Sequence, residues 1–206
     1  MGEKKDSWII KVKDEMEQMA SSDTIETAEM KYWAKRSIYR VPACVSDLNK
    51  NAYKPQFVSF GPYHYGEDQL MPMEEHKHRA LLHFLRRSNK PLESYVDSLA
   101  KEAESLKESY ESLDPAWGRD TDLFLQLLIV DGCFMLEVMR TSTQEMDDYA
   151  HNDPIFSNHG KLHIMPYIRR DMLMLENQLP MRLLTILLAV ENEKTEVRHL
   201  IYPSSV

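Results

Sequence analysis

The stretch DTDLFLQLLIVDGCFMLEVMR, residues 120–140, is the most apolar long segment of the sequence. Its apolar residues fall on every side of a helix rather than along one stripe, which is typical of a helix enclosed by other elements. Asp120 or Thr121 can cap its first turn, because short polar side chains accept hydrogen bonds from free helical N–H groups. The stretch therefore predicts a buried central helix around which the rest of the chain packs.

Asp131 lies in the middle of this apolar helix, where an acid needs either a partner or a proton. One interpretation is a buried acid with a raised pKa that serves acid–base chemistry. The other, which we favour, is a structural tie to an arginine or to backbone N–H groups of residues 37–61, because buried charges are usually paired. The expected partners, chosen by residue type, are Arg40, Arg169 and Arg170.

Apolar residues recur at helical spacing along much of the remaining chain. The predicted helices cover residues 7–20, 23–33, 73–87, 91–113, 167–178 and 181–190. On the helix at 73–87, Lys77 shares the apolar face with Met73 and Phe84. The polar stretch at 141–165 is broken by a proline and a glycine and is predicted to be a long loop.

Residues 37–70 depart from the helical pattern and contain three prolines. Two pieces, 38–41 and 56–60, are rich in β-branched and aromatic residues and are predicted to be short and extended. The predicted fold class is therefore mainly α: a single-domain helical bundle with a central buried helix and a short extended or loop region with at most minor β-structure. Residues 1–36 are expected to form an N-terminal helical arm, and residues 37–206 the helical domain.

Charge and hydropathy disfavour several classes of protein. Acidic residues number 33 and basic residues 25, which gives a formal net charge of −8, and the short basic clusters are scattered. Nucleic-acid and anionic-membrane binders need clustered lysine and arginine, so neither partner is predicted. The segments at 123–139 and 172–190 carry polar residues along their length, whereas a membrane span needs about 20 mostly apolar residues. No transmembrane helix is predicted in this chain.

The histidines do not form a convincing metal site. Glu75 and His78 have the i, i+3 spacing of carboxylate-bridged metal sites, but such sites need a second Glu-x-x-His, which the sequence lacks. His159 and His163 are four residues apart, but Gly160 between them disfavours a rigid helical pair. No metal ligand and no cofactor-binding residue is assigned.

Nucleophilic catalysis finds equally little support. The sequence has no G-x-S-x-G elbow. Cys133 lies in apolar surroundings, which raise a thiol pKa, and is expected to be a buried, inert thiol, although a disulfide with Cys44 stays open. A second polar island, residues 176–178 before Pro180, is expected to close helix ends with its side chains. No catalytic residue is assigned.

Several segments, taken in order, resemble the plant family called domain of unknown function 247. They are IYRVP at 38–42, YKP at 53–55, VSFGPYH at 58–64, MEEHK at 73–77, DGCF at 131–134, and Asp171 followed by LENQLP at 175–180. The resemblance implies a plant protein with a mostly helical domain. Some family members are linked to self-incompatibility in grasses, which implies recognition or signalling, and no catalytic residues are carried over from the family.

Typical members of that family are longer and carry a C-terminal transmembrane helix. The resemblance therefore implies that this chain is a short or C-terminally truncated member whose helical domain is incomplete. We expect the chain as given to be cytoplasmic, and a longer form with the family's helix to be membrane-associated. A half-domain of this kind is expected to expose a face that the missing half covers, and so to self-associate or to bind a hydrophobic dye.

Two functional hypotheses follow from these observations. The first is a non-enzymatic recognition or signalling component that acts through an unknown protein partner. The alternative is an enzyme of unknown class with a pocket near Asp131, Glu176 and His64. The alternative requires those three side chains to converge on a cavity that solvent can reach.

Overall fold

The computed structural model describes residues 3–20, 30, 33, 35–141 and 148–192. Contacts divide the chain into two compact units, Met1–Ser37 and Ile38–Val206, which are described separately. The first contains helix α1 (Glu3–Ala20), in agreement with the helix predicted at 7–20. The short helix predicted at 23–33 falls almost wholly outside the described residues.

The second unit is mainly helical, as predicted. Among the described residues, β pairing is limited to one isolated parallel bridge between Ile38 and Tyr110. The helices, in chain order, are α2 (Ala43–Ser46), α3 (Lys50–Tyr53), α4 (Pro72–Ser88), α5 (Leu92–Ala100), α6 (Ala103–Glu108), α7 (Pro115–Arg119), α8 (Thr121–Arg140), α9 (Asn158–His163), α10 (Met165–Asp171) and α11 (Met181–Asn192).

Helix α8 is the central element that the apolar stretch predicts. The Asp120 side chain caps it by accepting a hydrogen bond from the Leu123 N–H at 2.9 Å. Helices α4, α5 and α11 pack against it from different sides, so most of its side chains are buried. At Gly132 a Cβ atom would lie 2.5 Å from Leu187 Cδ1, so the missing side chain lets α11 approach closely. The prediction of a buried central helix is confirmed.

The single helix predicted at 91–113 is wrong, because the chain forms two helices, α5 and α6. Its apolar positions remain on one buried face, including Tyr95, Leu99 and Leu106. The break lies at residues 101–102, where Glu102 leaves helical geometry and its carboxylate pairs with Arg182 at 2.7 Å. The spacing therefore predicted the buried face correctly but not the continuity of the helix.

The long loop predicted at 141–165 is also wrong in part. Residues 158–163 form α9, which begins where the Ser157 side chain accepts a hydrogen bond from the Gly160 N–H. Ile155 and Phe156 before it are buried, and the Phe156 ring contacts that of Phe134 on α8. Glycine at 160 permits this packing, because a Cβ there would lie 2.5 Å from the backbone of Pro154 and Ile155.

The helix predicted at 167–178 ends early, at Asp171, and residues 172–178 form turns before α11. The piece at 56–60, predicted to be extended, forms no strand pairing with any other described segment. Both departures have the same cause, which is that side chains of 171–178 bind the backbone of 56–60. Within the described ranges, no helix combines the length and apolarity needed to cross a membrane.

Candidate functional site

Residues 56–64, here called the 56–64 segment, pass through the interior of the second unit beside α8. Val58, Phe60 and His64 are almost fully buried. Buried backbone N–H groups need acceptors, and no strand in the described part of the chain supplies them here. Asp131 of α8, together with Asp171 and Asn177, supplies acceptors instead. With Ser59 and Lys77, which bond to each other, these three residues form the core polar cluster.

Lys77 and Asp131 are the charged centre of this cluster, and both side chains are fully buried. The Lys77 ammonium lies 2.7 Å from Asp131 Oδ1, 2.6 Å from Glu74 Oε1 and 3.1 Å from Ser59 Oγ. The second Asp131 oxygen accepts the Gly61 N–H at 2.8 Å. Asp131 therefore joins α8, α4 and the 56–64 segment.

The prediction that Asp131 pairs with Arg40, Arg169 or Arg170 is wrong, because its charged partner is Lys77. Lys77 takes that place because it lies on the buried face of α4, directly opposite α8. The signal was present in the sequence, since Lys77 occupies a core position of an otherwise apolar helical face. Arg170 instead pairs with Asp171, and Arg40 lies 3.9 Å from Glu176.

Burial raises the pKa of Asp131 to about 6, against the opposing effects of the Lys77 charge and of the hydrogen bonds from Lys77 and Gly61. Burial alone would lower the pKa of Lys77, but the Asp131 and Glu74 carboxylates outweigh it and raise that pKa. At neutral pH the two side chains therefore form a charged pair enclosed by protein. This arrangement favours the structural interpretation of Asp131 over the acid–base one.

Asp171 and Asn177 bind the 56–64 segment directly. Asp171 Oδ2 accepts the N–H groups of three successive residues, 56–58, at 2.6–3.0 Å. Asn177 accepts the Phe60 N–H at 2.6 Å and donates to the carbonyls of Val58 and Asp171 at 2.9 and 3.0 Å. The backbone groups that a sheet would satisfy are thus satisfied by two side chains.

The island at 176–178 also binds the turns that follow α10. The Gln178 side chain donates to the carbonyls of Met172 and Met174, both at 2.7 Å. The Gln178 carbonyl accepts from the Tyr110 hydroxyl at 3.2 Å. Gly61 lies against this contact with φ of +70°, and a Cβ there would be 2.8 Å from Tyr110 Oη and 2.9 Å from the Gln178 carbonyl oxygen. Only glycine fits both the conformation and the space.

Glu176 and His64 do come together, but Asp131 does not join them in an open pocket. Glu176 accepts the Val41 N–H at 2.6 Å and lies 3.5 Å from His64 Nε2, while His64 Nδ1 lies 2.7 Å from Glu67. Asp131 is fully buried, and its oxygens are occupied by the contacts described above. The enzyme hypothesis needed Asp131 on a solvent-reaching cavity and is therefore weakened.

The residues weighed as metal ligands are not assembled into a site. Glu75 and His78 are exposed on α4, and the His159 and His163 rings lie 4.5 Å apart on the short helix α9. Across the part of the chain that the structure describes, no group of three or more potential ligand side chains is placed to hold a metal ion.

The two cysteines are free thiols rather than a disulfide. Cys133 is buried in α8, and burial raises its pKa well above the ordinary value, which suppresses the reactive thiolate. Cys44 is exposed. The expectation of a buried, unreactive Cys133 is consistent with this environment.

Sequence reasoning missed a second buried network around Glu137 on α8. Glu137 is fully buried, pairs with Arg87 at 2.6 Å and accepts the Tyr149 hydroxyl at 2.8 Å. Arg140, one helical turn later, pairs with Glu191 of α11. Burial raises the pKa of Glu137 against the lowering effect of Arg87. The network joins α4, α8, α11 and the residues around 149, so its role is structural.

An open groove, here called the α4–α5–α8 groove, lies on the outer surface of the second unit and was not predicted from the sequence. Its volume is about 340 Å³. The lining is mostly apolar and consists of His78, Leu81, Leu92, Val96, Asp122, Leu125, Gln126, Ile129 and Val130. Leu92 and Val96 are 41% and 38% exposed, so the groove presents hydrophobic side chains to solvent.

Comparison with known proteins finds relatives in plants. A family model, DUF247, described as "Plant protein of unknown function", matches residues 38–204. The chain is 36% identical to the UPF0481 protein At3g47200 of Arabidopsis thaliana over 146 residues, which cover 69% of this chain and 29% of that protein. It is 24% identical to the putative UPF0481 protein At3g02645 of the same plant over 191 residues, covering 92% and 32%. The chain spans about a third of the length of these curated relatives. No solved structure matches it.

Proposed function

The chain belongs to the DUF247 family of plant proteins of unknown function, and from that premise we propose that it is a non-enzymatic recognition or signalling component that binds a protein partner. The α4–α5–α8 groove is the observation that carries this proposal. Open apolar surface of this kind is characteristic of binding sites, because exposing it to water is unfavourable. The buried charges of the second unit, in contrast, bind one another and the backbone.

We propose a cytoplasmic location for the chain as given, and membrane association for a longer form. We also propose that residues 1–36 act as a helical arm and residues 37–206 as the partner-binding domain. Limited proteolysis followed by mass spectrometry tests the division, since a cut near residue 36 should release a fragment that retains the full thermal transition. Loss of that transition in the fragment would contradict it.

Affinity purification followed by reconstitution tests partner binding. The tagged full chain is incubated with extract of the source plant, with a heat-denatured sample of the same chain as the matched control. Proteins enriched only on the folded chain are then expressed, purified and mixed with it. We expect at least one of them to form a stoichiometric complex by size-exclusion chromatography with light scattering. If no enriched protein binds the purified chain directly, the proposal fails.

A further inference from the structure

We propose that the α4–α5–α8 groove docks a basic amphipathic helix of the protein partner. The inference rests on the proposed function and specifies where the partner binds and what chemistry it presents. Three helices line the groove, and its floor is made by buried side chains of α4 and α8, including Leu81, Leu125 and Ile129. Such an arrangement offers an apolar surface between helices, against which the apolar stripe of another helix can pack.

The length of the groove agrees with a short helix. Its lining residues on α8 run from Asp122 to Val130. The eight steps between these two residues, at a rise of about 1.5 Å each, give a groove length of about 12 Å, or roughly two helical turns. A helix that covers this length presents apolar side chains at positions i, i+3 or i+4, and i+7. Leu92 and Val96, one turn apart on α5, form one wall against which such side chains would pack.

The charges around the groove indicate the net charge of the helix that would bind there. Asp122 lines the groove itself. Glu93 and Asp97 directly follow Leu92 and Val96 on α5, and all three carboxylates are exposed. On α4, exposed Glu75 lies one turn before His78. Arg86 is exposed on α4 about two turns after His78. The rim is therefore net acidic and favours lysine and arginine beside the apolar stripe of the partner.

The same charges argue against anionic occupants, because carboxylates at the rim repel phosphate and fatty-acid head groups. A second copy of this chain is a weaker match, since the chain is itself acidic, with a net charge of −8. Oligomeric state is nevertheless measured in the test below, because a second copy would place a different occupant in the groove.

Selection from a phage-displayed library of random peptides of about 12 residues, performed against the full chain, tests the proposal. Enriched peptides are synthesised with a fluorescent label, and their binding is measured by anisotropy. We expect them to carry apolar residues at helical spacing and a net positive charge. Replacing their lysines and arginines with glutamate should weaken binding about tenfold or more, because the acidic rim then repels them.

Matched variants locate the binding site. Val96→Asn or Leu92→Asn removes one apolar contact at a partly exposed position, and either should weaken peptide binding about tenfold. The double variant Glu93→Lys/Asp97→Lys should abolish the preference for basic peptides. The controls are Leu173→Asn, which changes a leucine that is 83% exposed outside the groove, and Asp68→Lys, which changes an exposed acid elsewhere. Unchanged thermal melting identifies the variants that remain folded. Because Leu92 and Val96 are tested separately, the binding site can still be located if one of the two variants does not fold.

Three results overturn the proposal. The first is enrichment of acidic peptides, or of peptides that bind the Val96→Asn and Leu92→Asn variants as well as the wild type. The second is enrichment of no peptide at all. The third is a wild-type dimer in sedimentation velocity that Val96→Asn converts to a monomer, which assigns the groove to a second copy. A reconstituted partner that binds the groove variants unchanged removes the groove as its site but leaves the proposed function standing.

Discussion

At the scale of single residues, Lys77 and Asp131 are the most consequential pair in the second unit, since both are sealed from water. Asp131→Ala would leave the buried Lys77 ammonium with Glu74 and Ser59 as partners and would leave the Gly61 N–H without its Asp131 acceptor. We expect it to lower the free energy of unfolding by about 3 kcal/mol, measured by urea denaturation. The double variant Lys77→Met/Asp131→Leu should lose less than Asp131→Ala, because it removes both charges. If the double variant lost as much unfolding free energy as Lys77→Met and Asp131→Leu lose together when measured singly, the two side chains would not interact.

The raised pKa of Asp131 makes the effect of Asp131→Ala depend on pH. Its pKa rises from about 3.8 in the unfolded chain to about 6 in the folded protein. Between those values the folded state binds the proton more tightly, so the contribution of Asp131 to stability falls as pH rises through about 6. The loss caused by Asp131→Ala should therefore be about 1 kcal/mol larger near pH 5 than near pH 7.5. An equal or smaller loss near pH 5 would show that the folded pKa is not raised.

Gly61 offers a second residue-scale test with a built-in control. Gly61→Ala combines a positive φ with close contacts to the Tyr110 hydroxyl and the Gln178 carbonyl, so we expect a loss of about 3 kcal/mol in unfolding free energy. Gly66 has φ of +84° but open space around its Cβ position. Gly66→Ala should therefore cost only the backbone strain, about 1 kcal/mol. Equal losses for the two variants would mean that crowding at Gly61 contributes nothing.

Sequence analysis identified Asp131 as a buried acid that needs a partner but chose the wrong partner for it. Arginine was preferred by residue type, whereas the geometry of helix packing selects the residue opposite on α4. A cation on an apolar helical face was visible at position 77. The sequence did not identify Asp131 as the partner of Lys77. The two residues are about 50 positions apart, and residue spacing does not predict contacts between helices so distant in the chain.

At the scale of elements, the 56–64 segment is held by side chains rather than by a sheet. Asn177→Ala removes the acceptor of the Phe60 N–H and the donor to the Val58 carbonyl, and both groups stay buried. We expect hydrogen exchange at the Phe60 amide to accelerate about tenfold or more, as measured by nuclear magnetic resonance, because local opening becomes easier. The matched control is Asn152→Ala, at an exposed site, which should leave the Phe60 rate unchanged. An unchanged rate in Asn177→Ala would mean that other contacts hold the segment.

Helical spacing predicted the buried faces of α4, α5 and α8 because burial of an apolar stripe is a local property of the sequence. It did not predict where helices end, as at Ala100 and Asp171. At Asp171, the side chain accepts the backbone N–H groups of residues 56–58, which is a contact between distant segments. Predicted boundaries fail where such tertiary hydrogen bonds compete with the helix.

At the scale of the whole molecule, the segments that carry the resemblance to DUF247 meet in space. VSFGPYH at 58–64 is bound by Lys77 of MEEHK, by Asp131 of DGCF and by Asn177 of LENQLP. Glu176 of LENQLP also accepts the N–H of Val41 from IYRVP. Motifs that are separate along about 140 residues of the sequence therefore contact one another through buried and partly buried hydrogen bonds.

The integrity of that unit is measurable through its two thiols, which differ sharply in environment. Cys44 is exposed, whereas Cys133 is buried in α8 and its pKa is raised by burial. In the native protein, Ellman's reagent should modify Cys44 promptly and Cys133 only as fast as the unit opens. Both should react in denaturant. The Cys44→Ser variant isolates the slow reaction, and adding Asp131→Ala to it should accelerate modification, because opening costs less once the buried pair is broken. If Cys133 reacted as fast as Cys44 in the native protein, α8 would not be the enclosed centre of the fold.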